Sequence, residues 1–149
     1  MTTKMSRDER EAFLADAHVG VISMSEKGRG PLAIPVWYAY EPGGEVSITT
    51  ERNSRKMQLL EKGRRVSLCV QCETPPYKYV SIEGPVVDID ASDVERDERP
   101  LARRYLGEKR GDQYIEASTD GREPEDMVRV RIRPERWLTV DYSKEDIGL

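Results

Sequence analysis

The chain has 149 residues, 35% of them charged and 37% hydrophobic, with a formal net charge of -4. That length suits one domain with a single modest core, and so lean an interior suggests that apolar surface is covered by a second copy of the chain. The acidic balance argues against nucleic-acid binding, no apolar run approaches a membrane span, and the first residues lack a secretory core segment, so a cytoplasmic protein is expected.

Ser6-Arg7-Asp8-Glu9 is a capping box, in which the hydroxyl takes the N–H three residues on and the carboxylate reaches back. The helix it opens carries Phe13, Leu14 and Ala17 on one side and is expected to end near Asp16. Val19 to Met24 reads as a strand, Ser25 to Gly30 as a hairpin turn, and Leu32 to Tyr40 as a second strand. Pro35 has no N–H to give, so its strand should lie at an edge or a bulge. Glu41 to Gly44 turns the chain into a strand from Glu45 to Thr50. Met57 and Leu60 at helical spacing, stopped at Gly63, then predict a short helix with Asn53 as its N-cap. Further strands are predicted over Arg65 to Gln71 and Lys78 to Asp90, around Thr74-Pro75-Pro76. Ser92-Asp93-Val94-Glu95 is a second capping box, opening a helical stretch toward Tyr105 that Pro100 kinks or restarts. Gly107 to Glu125 shows no period and reads as a lid, a dimer arm or a plain loop. Met127 to Arg133 alternates apolar residues with Arg129, Arg131 and Arg133, whose face is expected to be solvated or salt-bridged, and a last strand runs from Arg136 to Tyr142. About six strands at hairpin spacing with few helices indicate a closed or partly closed antiparallel barrel in one domain, residues 1–149.

Cys69 and Cys72 have the C-x-x-C spacing of redox and zinc sites. They fall on a strand, where positions three apart face opposite ways, and His18 is the one histidine, so structural thiols and no metal are expected. His18 itself reads as packing or capping. No G-x-S-x-G, H-E-x-x-H, P-loop or dinucleotide fingerprint is present, and catalysis by side chains alone is unsupported. The densest chemistry lies in Thr49-Thr50-Glu51-Arg52-Asn53-Ser54-Arg55-Lys56. A strand end running into a helix start brings hydroxyls, two cations and free backbone N–H groups together, which is what a phosphate requires; a capped surface helix with a solvated Arg55-Lys56 pair is the alternative.

Thr49-Thr50, Ser54-Arg55-Lys56-Met57-Gln58-Leu59 and the following Arg65-Val66-Ser67-Leu68 resemble the phosphate-binding stretch of the pyridoxamine 5'-phosphate oxidase-like split-barrel family, which includes FMN enzymes and their deazaflavin (coenzyme F-420) relatives. The resemblance runs from about Phe13 to Asp90 and again over Arg136 to Tyr142. It implies a mainly β fold, a split β-barrel of about six antiparallel strands with flanking helices, assembled as a homodimer. It also implies an oxidoreductase in which the cofactor carries the hydride to a conjugated small-molecule acceptor. On the same resemblance, Ser54, Arg55 and Lys56 hold the cofactor phosphate and Thr49 and Thr50 lie near the ribityl chain or ring. Tyr79 borders the cofactor from the adjacent strand, and Pro35, Val36 and Trp37 pass along the ring. Core or dimer packing is the alternative for Trp37 and Tyr79. The ending Trp137-Leu138-Thr139-Val140-Asp141-Tyr142 lacks the His of the vitamin-oxidising members and is more similar to the deazaflavin reductase branch. F-420 is therefore the expected cofactor, with Lys78 or Arg29 as outer cations for its acidic tail. FMN is the alternative, and a non-catalytic flavin- or deazaflavin-binding protein is a further one.

Overall fold

The computed structural model describes residues 2–145. Seven strands are found among these: β1 (Gly20–Met24), β2 (Leu32–Val36), β3 (Val46–Glu51), β4 (Arg65–Cys72), β5 (Lys78–Ala91), β6 (Met127–Ile132) and β7 (Arg136–Asp141). They pair antiparallel in the order β2-β1-β4-β5-β6-β3, and a bridge between Ala39 and Ser47 brings the chain after β2 back to β3. The result is a mainly β half-barrel with flanking helices. β6 and β7 lie end to end along one edge of β5, β6 opposite Val86 to Ala91 and β7 opposite Lys78 to Glu83. β7 thus extends the line of β6, which is how seven strands fill a barrel of six places.

The join between β6 and β7 explains a glycine. A Cβ on Gly84 would stand 1.6 Å from the Arg133 carbonyl oxygen, so Arg133-Pro134-Glu135 can cross β5 only where no side chain exists. Strand alternation sorts the rest. Ile22, Ile48, Leu68, Val80, Ile82, Val130 and Ile132 fill the barrel and are almost fully buried, each contributing on the order of 1.5 to 3 kcal/mol.

The predicted capping box is present at α1 (Arg7–Ala15), with Ser6 Oγ 3.2 Å from the Glu9 N–H and Glu9 accepting the Ser6 N–H at 2.8 Å. Tyr38, buried in the core, donates its hydroxyl to the Leu14 carbonyl at 2.7 Å and so fastens the end of that helix. β2 stops at Val36 rather than reaching Tyr40, because the Tyr38 N–H leaves the ladder for the Tyr105 hydroxyl at 3.1 Å. Pro35 does sit on an edge strand. The short helix α2 (Arg55–Leu59) is capped by Ser54, not Asn53; the Ser54 hydroxyl accepts from the Met57 N–H at 3.3 Å and meets the Thr50 hydroxyl at 3.2 Å.

After β5, Asp93 rather than Ser92 caps a π-helical turn over Val94–Glu98, accepting the Arg96 N–H at 2.7 Å. The Ser92 hydroxyl instead donates to Glu98 at 2.9 Å, so the expected Ser92–Glu95 box does not form. Pro100 stands in the first turn of α3 (Arg99–Leu106), where it starts the helix instead of kinking it. The segment that showed no period is largely helical, as α4 (Glu108–Thr119). α4 packs closely on α3, since a Cβ on Gly111 would lie 2.8 Å from the Arg103 backbone, and Asp112 ties it to Arg99 and Arg103 at 2.8 and 2.9 Å. The arginine face of β6 is salt-bridged: Arg129 pairs with Asp90 at 2.9 Å and Arg131 with Asp88. Cys69 and Cys72 are free thiols on β4. No described helix is long and apolar enough to cross a membrane.

Candidate functional site

Where β2 and β3 end and α2 begins, the barrel leaves a cavity of about 660 Å³ that the α3–α4 pair walls on its other side. The barrel wall consists of Pro35, Val36, Trp37 and Thr49, with Lys56 at the start of α2. Leu101, Tyr114 and Ile115 form the helical wall, and the ion pair of Glu98 with Arg122 stands beside them at 2.7 Å. The size suits a small-molecule or cofactor site, and the lining joins the flat apolar surface to many polar groups, Glu51, Asn53, Ser118 and Asp126 among them.

Five of the residues singled out from the sequence meet in this cavity: Pro35, Val36, Trp37, Thr49 and Lys56. The others are placed differently. Thr50 alternates to the inside of the barrel at 5% exposure and, with Ser54, builds the corner that starts α2. Arg55 turns away, its guanidinium 2.7 Å from both carboxylate oxygens of Glu26. Lys78 and Tyr79 begin β5 outside the cavity lining, with Lys78 3.8 Å from Asp141 and Tyr79 opposite Gln71 and Val140 in the ladder. Arg29 is exposed in the turn between β1 and β2.

Lys56 makes no ion pair or hydrogen bond among the described residues, whereas the charge of Arg122 is met by a buried Glu98. Lys56 is therefore the cation free to meet an anion in the cavity. With only five residues α2 adds little dipole, so the lysine charge is the main attraction. Trp37 is held rigidly. Its ring stacks on Tyr105 at 5.0 Å with 6° between the planes, and the Tyr105 hydroxyl is itself fixed by donating to the His18 carbonyl at 2.6 Å. Tyr114 from α4 meets the same indole at 5.4 Å and 54°. Nearby Tyr38 has its phenol pushed well above the ordinary range by burial, which makes it a structural hydrogen-bond donor and not an acid–base group.

Sequence reasoning missed the helical wall: Glu98, Leu101, Tyr114, Ile115, Ser118 and Arg122. Gly111, Ile115 and Ser118 do fall at i, i+4 and i+7, a helical face too short and too polar to stand out.

Residues 6–138 match the family described as pyridoxamine 5'-phosphate oxidase, and since that span is most of the chain, the protein belongs to this family. Among solved structures, the conserved hypothetical protein Rv2991 of Mycobacterium tuberculosis is similar with a TM-score of 0.74 at 24% identity, over 99% of this chain and 90% of that one. The FAD and heme binding protein of Mycobacterium smegmatis gives 0.66 at 16% identity, over 93% and 72%. An F420 reductase gives 0.59 at 18% identity, over 86% and 94%. At such identities these likenesses establish the split-barrel fold alone. No curated protein matches the chain.

Proposed function

We propose that the protein is a deazaflavin- or flavin-dependent oxidoreductase that holds its cofactor phosphate at Lys56 and its ring along Pro35, Val36 and Trp37. The observation that carries this reading is an unpaired lysine facing a rigid apolar wall inside one cavity. When bound, the cofactor supplies the hydride chemistry, and the protein's residues bind and orient it. Lys56 attracts the anion, Thr49 offers a hydroxyl beside it, and Trp37, clamped by Tyr105, presents a flat surface of fixed position. Leu101 and Ile115 on the helical wall keep water from the opposite side.

F-420 is the first reading, on the similarity of Trp137 to Tyr142 to the deazaflavin reductases, with a conjugated small molecule as acceptor. One observation favours FMN instead. Carboxylates from Glu51, Glu98 and Asp126 outnumber the cations Lys56 and Arg122 around the cavity, and Lys78 stands apart from it, so an acidic tail finds little to hold it within one protomer.

The homodimer is part of the same proposal. Pro35, Val21, Cys69, Ser81 and Leu138 are aligned in register across the outer face of the sheet, with Leu138 at 63% and Val21 at 38% exposure. Such a stripe suits burial against its own copy about a two-fold axis, and Pro35 joins it to the cavity. Visible absorbance of the purified protein, followed by titration with FMN and with F-420, tests the function. Micromolar or tighter binding of either supports it, and binding of neither overturns it.

A further inference from the structure

A second cavity, of about 600 Å³, lies at the opposite ends of β3 and β6, and it shares no lining residue with the first. It is enclosed by the start of α1, the turn at Gly43 and Gly44, and the Arg133-Pro134-Glu135 crossing that Gly84 permits. Arg7, Arg10 and Arg133 line it, and no guanidinium of the three makes a hydrogen bond among the described residues. Several guanidiniums elsewhere on the barrel are engaged, as with Arg65 on Glu83 and Arg129 on Asp90.

Three carboxylates share the cavity wall, and each lies toward an arginine. Glu135 bonds Arg65 at 2.6 Å and stands 3.7 Å from Arg133, Glu45 is 3.5 Å from Arg131, and Glu11 is 3.7 Å from Arg7. Arg10 alone has no carboxylate partner among the described residues. Its guanidinium lies over the Trp137 ring, 4.4 Å from the centroid, and its Nε is buried without a partner. Trp137 in turn is set edge-on against Tyr40 at 6.3 Å. Arg10 is thus fixed in place on an aromatic floor while its charge stays unmatched among the described residues, and the backbone of Arg133 is anchored beside it by its N–H to the Pro85 carbonyl at 3.1 Å.

We propose that this second cavity is an oxyanion site, which takes a small ligand bearing a phosphate or carboxylate group on Arg10 with Arg133 and Arg7 around it. Planar guanidinium forks match both oxyanions, and holding the Arg10 fork in place beforehand lowers the ordering cost of binding.

Isothermal titration calorimetry of the full-length protein with inorganic phosphate and with citrate, each against sodium chloride at equal ionic strength, tests this. The expected result is saturable binding of at least one of them at one site per protomer. Phosphate alone would identify a phosphate ester as the natural ligand, citrate alone a carboxylate. Arg10→Gln should weaken that binding about tenfold and Arg133→Gln about threefold or more, while Arg96→Gln, at an arginine already paired with Asp97 on another face, leaves it unchanged. If Arg10→Gln fails to fold, Arg133→Gln, at an exposed side chain, decides. The proposal is overturned by heats no larger than those of chloride, by an adventitious ion only, whose binding tracks ionic strength and survives both cavity-arginine variants, or by an equal loss of binding in Arg96→Gln.

Discussion

Two adjacent cations, Arg55 and Lys56, make opposite predictions once their directions are known. Lys56 faces the cavity with no partner among the described residues, so Lys56→Ala removes a charge-assisted bond of about 1.5 to 3 kcal/mol from the bound state, roughly a tenfold to hundredfold rise in Kd. The Arg55 guanidinium is half-exposed and already held by Glu26 at 2.7 Å. Arg55→Ala should therefore change affinity by less than about fivefold, the range of an exposed ion pair. Neither change should shift a urea midpoint much, because Lys56 supports nothing in the fold and Ala is as good a helix former. Fluorescence titration with FMN and F-420 at low and high salt measures both, and the Lys56 effect should shrink as salt screens the charge. Unchanged affinity in Lys56→Ala, or a larger loss in Arg55→Ala, would refute the assignment of the phosphate to Lys56.

Leu138→Glu puts a charge on the most exposed large apolar residue of the stripe on the sheet and should convert a dimer to a monomer in sedimentation velocity; a variant that stays dimeric would move the interface elsewhere. Gly84→Ala forces a methyl to within 1.6 Å of the Arg133 carbonyl and should cost about 3 kcal/mol or more in urea unfolding, with a near-wild-type midpoint counting against the crossing described. His18 is held below the ordinary imidazole value of 6.5, first by burial, so the unfolded chain takes up its proton at a higher pH than the folded one. Stability should thus fall as pH drops below about 6.5 toward the lowered folded value, and His18→Gln should flatten that part of a Tm-against-pH curve.

The strands were legible because one face of each is buried, and alternation records that directly in β4, β5 and β6. What escaped the sequence depends on partners far along the chain. β2 ends early because the hydroxyl of Tyr105, 67 residues away, takes the Tyr38 N–H. α4 buries only Gly111 and Ile115 and is stabilised by Asp112 on arginines of another helix, so its own period is faint. The cap of α2 falls one residue later than expected because the Thr50 hydroxyl lies beside Ser54. At the site the sequence showed two cations next to each other, but only Glu26, 29 residues upstream, determines which one is free.

The two walls of the first cavity are built to different standards of rigidity, and this bears on how one fold serves several reactions. Trp37 is fixed through Tyr105, whose hydroxyl ties it to the backbone at His18 and Tyr38, and Arg104 beside it fastens α3 to the end of α1 at 2.7 and 2.8 Å. A ring resting on that wall is held by the barrel core itself. The facing wall rests on α4, which packs chiefly on α3 and reaches across the cavity with a half-exposed Tyr114. Changes in α4 therefore alter the space opposite the ring at little cost to the barrel, whereas changes at Trp37 or Tyr105 disturb the junction of α1, β2 and α3 together. On the proposed function, cofactor binding belongs to the rigid wall and acceptor choice to the helical one. A family with a shared barrel can then differ in substrate through the segment between β5 and β6.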